Sequence, residues 1–384
     1  MARVLLSSWM VRYPLGGNLS WALQWLVGFD RLGHDVYLVE ESGYPGSCYD
    51  PVRDTMGDDC ARGAAVVSAL LDEHGLRDRW CYRDAAGRYH GLGRERVERL
   101  FASADLYLDM GAPLGAWAEE AEGAASAVRV ALETEPGYTQ IKLERADDGR
   151  ALDGFDFHYS VGQNIGTGKT TAPSGGREWR HVFNPVETDL FEVAPPCDGA
   201  AFTTVMNWRA HESVEWAGRS YGQKDAELER FVDLPARSAV PLELAVSGAT
   251  VPRKRLLDHG WRLRDAHEVS RSYRSYADYI RSSAGEFAVC KEVFVATRSG
   301  WFSDRSAAYL ASGRPVVLQD TGFGEHLPCG DGLFAFASPE EAADAVARVA
   351  REPARHASAA RAIAREHLDA SVVLPRLLAE IGVG

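Results

Sequence analysis

The sequence predicts an α/β protein built from two facing Rossmann-like domains with a cleft between them. Three observations carry this. Short apolar runs alternate with helical segments along the chain, the alternation restarts near residue 200 behind a Pro/Gly break, and each half opens on an apolar strand. Such alternation builds parallel sheets, because a parallel pair needs a crossover long enough to hold a helix. At 384 residues the chain can bury two separate cores.

The opening unit reads as a strand over 3–7, a loop over 8–18, a helix over 19–32 and a strand over 36–39. Gly16, Gly17 and Asn18 close the loop at the helix start, and Gly33 suits the left-handed position after the helix. Further strands are expected at 106–108, 128–132 and 157–161, with helices at 63–73 and 94–102. Pro195, Pro196, Cys197, Asp198 and Gly199 form the expected hinge. It divides the chain into an N-terminal domain over 1–196 and a C-terminal domain over 197–384, whose last helix is free to pack back on the first domain. The second half reads as strands at 201–206, 242–246, 261–263, 287–289 and 316–318, with helices at 253–258, 276–281, 339–350 and 357–367. Ser338 caps the helix at 339, and Pro339 presets its first residue.

Hydrophobic content of 46% and charged content of 25% fit a soluble globular chain. A net charge of −13 argues against a nucleic-acid partner, because phosphate backbones need a basic footprint. No apolar stretch is long enough for a signal peptide or a membrane span. The six cysteines are scattered without a CxxC pair, so reduced thiols are expected. Together these predict a cytoplasmic monomer or homodimer with no membrane and no nucleic-acid partner.

The segment from Ser299 to Phe323 reads as a glycine loop, a short helix, a glycine stop, a buried strand and a second glycine loop. Ser303 and Asp304 suit a helix N-cap, whose free amides and dipole hold an anion. Ligands of open parallel sheets bind at the carboxyl ends of strands. That rule selects Asn207, Arg209, Gly300, Ser303, Asp304, Arg305, Asp320, Thr321, Gly322 and Phe323 as a nucleotide-diphosphate site. Lys224, opening a helix, joins Arg209 as a second cation for the diphosphate. Across the cleft, Gly16, Gly17, Asn18 and Asn164 lie in strand-end loops, with Trp301 facing them, as substrate contacts. Asp109, Glu135 and His158 are the candidate general bases. Each has a competing role: Asp109 as a helix cap, Glu135 as the support of the Pro136–Gly137 turn, His158 as a satisfied core histidine.

The run from Gly162 to Thr170 imitates a phosphate-binding P-loop. Gln163 stands where that motif needs glycine, and turn-rich sequence follows Thr170 where it needs a helix. A flexible loop at the cleft is expected instead. No metal-binding cluster is evident in the sequence.

On these residues the chain resembles the GT-B glycosyltransferases. The resemblance rests on Gly16-Gly17-Asn18 with Leu32-Gly33-His34-Asp35-Val36, on Arg209 and Lys224, and on Ala311-Ser312-Gly313-Arg314-Pro315-Val316-Val317 with Asp320-Thr321-Gly322. It implies an acceptor on the first domain and a nucleotide sugar on the second. It also implies transfer with no metal and no cofactor beyond the nucleotide-sugar co-substrate. The soluble, anchorless composition adds the expectation of a small natural-product, aminoglycoside or nucleoside-like acceptor, as in antibiotic biosynthesis. Two departures stand out: Gly300 and Ala308 occupy positions where the common retaining branch carries acids. A nucleotide-sugar 2-epimerase and a non-catalytic nucleotide-sugar-binding protein are the alternative readings.

Overall fold

A computed structural model describes residues 1–110, 117, 127–145, 152–195 and 199–384. Residues 196–198, where the hinge and the domain boundary are expected, lie outside the described residues, as does Gly111 after the strand that carries Asp109.

The first half supplies β1 (Arg3–Ser7), β2 (Asp35–Glu41), β3 (Cys48–Asp50), β4 (Thr55–Gly57), β5 (Trp80–Arg83), β6 (Tyr89–Gly91), β7 (Leu106–Asp109), β8 (Val128–Glu133), β9 (Phe157–Ser160) and β10 (Arg180–His181). The second supplies β11 (Phe202–Asn207), β12 (Val214–Trp216), β13 (Arg219–Tyr221), β14 (Leu242–Ser247), β15 (Arg262–Asp265), β16 (Gly285–Ala288), β17 (Val316–Gln319) and β18 (Leu333–Phe336). One sheet runs β10-β9-β8-β7-β1-β2-β5-β6, the other β15-β14-β11-β16-β17-β18. Every pairing in both sheets is parallel except β5 with β6. The α/β class and the two Rossmann-like sheets therefore follow the sequence. No described helix is long and apolar enough to cross a membrane.

The helix after β1, α1 (Gly16–Arg31), begins three residues earlier than the sequence predicts. Gly16 is inside it because the backbone of the second half comes too close for a side chain. A Cβ there would lie 2.6 Å from the Ser272 carbonyl oxygen, and the Gly16 amide donates to the Ser270 carbonyl at 2.7 Å. The same helix takes the chain's last element on its other end. A Cβ on Gly28 would stand 2.7 Å from that of Ala370, at the start of the final helix Ala370–Ile381. The final helix is tied to the first sheet by Tyr159 donating to Glu380 at 2.8 Å and Arg180 donating to the Glu380 carbonyl at 2.6 Å. The first half also holds α2 (Ala61–Glu73) and α3 (Arg94–Phe101).

Candidate functional site

The carboxyl ends of β11 and β14 face the loop after β1, and a cavity of about 740 Å³ lies between them. Tyr13, Gly17 and Asn18 line one wall, while Asn207, Ser247 and His267 line the other. The loop after β1 is held from below by Glu40, which is fully buried at the end of β2. Its carboxylate accepts the amides of Val11 at 2.7 Å and Arg12 at 2.8 Å. Burial pushes this carboxyl up to about 7 against the opposing pull of Arg12 and those amides. Tyr13 stacks on Tyr49 with ring centres 6.3 Å apart, and the Tyr49 hydroxyl lies 3.0 Å from His267 Nδ1 on the facing domain.

Deeper in the second domain, cations gather around the ends of β11 and β16. Lys224 opens the helix Lys224–Leu228, and among the described residues its ammonium has no hydrogen-bond or ion-pair partner. Burial pushes it down to about 7, with Arg305 and then Lys291 adding to the effect, while Cys290 and Glu286 oppose it. Arg305 Nε donates to Glu286 at 2.5 Å and Nη1 to the Val205 carbonyl at 3.0 Å. Its remaining terminal nitrogen is buried with no hydrogen-bond partner. Lys291, three residues past the end of β16, reaches across to Glu135 of the first domain and forms an ion pair. These three cations are answered by the buried Glu286, by Asp304 beside Arg305 and by the bridging Glu135. A polyanion placed there relieves their mutual repulsion and the desolvation of Lys224.

Ser303 caps the helix Asp304–Ala311 as expected, accepting the Arg305 amide at 3.2 Å. Asp304 follows it in the first turn, where burial raises its carboxyl and Arg305 opposes the rise. Asn207 stands at the cavity wall and accepts from the Ser247 hydroxyl. Arg209, by contrast, is drawn off to Asp225 and leaves most of its side chain in solvent. Asn18 lines the cavity while its amide donates to the Tyr13 carbonyl at 3.3 Å.

Several residues expected to contact ligand are engaged by the protein itself. Asn164 is fully buried: its side chain donates to the Arg298 carbonyl at 2.9 Å, and His326 Nε2 donates to it at 2.8 Å. Gly300 and Gly322 are glycines because Asn164 packs on them. A Cβ would approach its backbone nitrogen to 2.8 Å at Gly300 and its side-chain nitrogen to 2.7 Å at Gly322, and both residues have positive φ. Trp301 is buried against Phe294, Thr321 donates its hydroxyl to the Trp301 carbonyl at 2.6 Å, and Phe323 packs on Phe302. Asp320 accepts the Gly322 amide at 2.7 Å and so shapes the turn. Gly16 serves the close approach described above. The P-loop-like run is not loose either: the Thr170 hydroxyl donates to Thr297 at 2.6 Å, and Lys169 pairs with Glu325 at 3.0 Å. This run and the glycine loops together make a clasp between the domains. Asn164→Ala strands the Arg298 carbonyl and His326, so it should cost about 1–3 kcal/mol. A thermal melt is expected to fall by several degrees with nucleotide affinity unchanged.

Of the three candidate bases, Asp109 is fully buried beside the Tyr107 hydroxyl at 3.4 Å. His158 is bonded to the Leu152 carbonyl at 3.0 Å and packs edge-on to Trp179. Neither presents its polar end to the cleft. Glu135 does, through Lys291. Sequence reasoning missed Lys291, three residues past the end of β16, and the buried Glu286 within that strand.

No family model matches this chain, and no curated protein matches it. Solved structures do. Anabaena Alr3699/HepE in complex with UDP-glucose has a TM-score of 0.58 at 13% identity over 100% of both chains. An alpha-glucosyltransferase with UDP and a 13-mer DNA containing a central A:G mismatch has a TM-score of 0.60 at 11% identity over 100% of both. The same activity bound to UDP and DNA containing a HMU base gives 0.61 at 9% identity over 99% of each chain. The shared fold is that of the GT-B glycosyltransferases. These complexes also overturn the expectation that a nucleic-acid partner is excluded, since similar structures hold DNA. The physical error lay in using a whole-chain sum. A charge of −13 over the whole chain does not report where charge lies on the surface.

Proposed function

We propose that this protein transfers a glycosyl group from a nucleoside diphosphate sugar to an acceptor hydroxyl or amine, with UDP-glucose as the first donor to test. The observation that carries the reading is Lys224: an ammonium pushed down by burial and then by Arg305 and Lys291, opposed by Glu286 only at a distance and without a hydrogen-bond or ion-pair partner among the described residues. In this reading Lys224, Arg305 and the N-terminus of the helix Asp304–Ala311 hold the diphosphate. They stabilise the charge that grows on it as the glycosidic bond breaks, so the proposed transfer needs no dissolved metal and no further cofactor. Glu135 takes the acceptor proton, and Lys291 keeps its carboxylate at the cleft. The acceptor rests against Tyr13, Gly17 and Asn18. A small natural product fits the cavity of about 740 Å³, and so does a nucleobase turned out of a strand. The free thiols at Cys48, Cys60, Cys81, Cys290 and Cys329 support a reducing compartment such as the cytoplasm.

Calorimetry with UDP, dTDP and GDP, followed by chromatography of UDP-glucose incubated with the protein, tests this. Binding of one nucleoside diphosphate and release of UDP from the sugar nucleotide are expected. Absence of binding to every nucleoside diphosphate would overturn the reading.

A further inference from the structure

We propose that Cys60, Asp84 and His90 form a zinc site in the N-terminal domain, separate from the cleft. Cys60 is the residue before α2, and Asp84 and His90 stand on the hairpin of β5 and β6. The Cys60 sulfur lies 3.5 Å from His90 Nε2, and that same nitrogen lies 3.0 Å from Asp84 Oδ2. All three donor atoms fall within 4.8 Å of one another. A tetrahedral zinc ion with Zn–S of about 2.3 Å and Zn–N and Zn–O near 2.0 Å separates sulfur from nitrogen by about 3.6 Å and nitrogen from oxygen by about 3.3 Å. The protein already holds its donors close to that spacing.

The convergence on one nitrogen decides between two chemistries. A thiol–imidazole–carboxylate relay needs its partners on opposite ring nitrogens, one activating and one orienting. Here thiol and carboxylate both address Nε2, which serves a cation seated among the three. The carboxylate is also aimed. Asp84 Oδ1 accepts the amides of Ala86 at 3.0 Å and Arg88 at 2.9 Å, which leaves Oδ2 turned towards the imidazole. Arg88 Nε reaches Oδ2 at 2.8 Å, but its side chain is 74% exposed and can swing aside. Cys60 and Asp84 are buried while His90 is one-third exposed, so an ion can enter from the His90 side. Thiolate with imidazole and one carboxylate selects zinc over magnesium or calcium. Three protein ligands leave the fourth position to water.

Such an ion would fasten the β5–β6 hairpin to α2. That helix touches the acceptor-side loop through Gly63, where a Cβ would lie 2.0 Å from the Val11 carbonyl oxygen.

The full chain, stripped with a chelator and titrated with Zn²⁺ and separately with Co²⁺, provides the test. We expect one equivalent of zinc to bind and cobalt to give a thiolate-to-metal absorption band. Cys60→Ser should abolish the band. His90→Gln, on a partly exposed hairpin and with its fold checked by circular dichroism, should weaken zinc by about 100-fold or more. Cys329→Ser, which removes the exposed thiol elsewhere, should change neither. The site is refuted by a wild-type protein without the band, by a band that survives Cys60→Ser, or by unchanged zinc affinity in His90→Gln.

Discussion

Lys224→Ala is expected to weaken UDP binding by about 10–100-fold, the range for losing a charge-assisted contact inside a protein. The effect should exceed that of Arg209→Ala, which removes a largely exposed ion pair with Asp225 and should stay within about threefold. The pH dependence gives a second readout. Burial and Arg305 push Lys224 down to about 7, so in the free protein its charge is lost as pH rises past that value. A diphosphate favours the ammonium, so UDP affinity should fall above neutrality and binding should take up a proton. Calorimetry in two buffers of different ionisation enthalpy measures that uptake, and Lys224→Ala should abolish it. For stability the sign is opposite. Between about 7 and the ordinary lysine value near 10.4 the unfolded chain binds the extra proton, so this group makes stability rise with pH and costs stability below 7.

Glu135→Gln should lower kcat by about 10²–10⁴-fold, the contribution of a positioned general base. Donor affinity should be unchanged or slightly tighter, because Lys291 loses its carboxylate partner and turns to the diphosphate. A structural role for Glu135 would instead lower the melting temperature and leave kcat in place. His158→Gln offers the contrast. Its ring is engaged with the Leu152 carbonyl and Trp179, so kcat should survive.

The fold was legible because its signal is local: apolar runs of strand length, such as 316–318, come behind a capped helix and a glycine stop. The short hairpins β3–β4, β5–β6 and β12–β13 escaped, since strands of three or four residues that mix polar and apolar side chains show neither an apolar run nor a period. For the site, strand-end logic pointed to Arg305 and Glu135, the start of a helix pointed to Lys224, and Lys291, a few residues past its strand, was passed over. It failed at Asn164, Gly300, Gly322 and Trp301 because a polar residue or glycine in a strand-end loop serves a ligand and a facing domain equally well. Only the long-range partner tells them apart, here the backbone at 298–301 meeting that at 162–164. Asp109 and His158 failed for a related reason, since sequence shows a titratable group but not which face of the strand it occupies.

The packing of the final helix on α1 bears on how the chain is made. Gly28 is fitted to Ala370 and Leu374, and Tyr159 awaits Glu380. The domain that leaves the ribosome first therefore lacks a wall until residues 370–381 emerge. Its apolar flank stays open throughout synthesis of the second domain. Loss of a few C-terminal residues should therefore be felt first in the N-terminal domain, at the far end of the sequence from the cut.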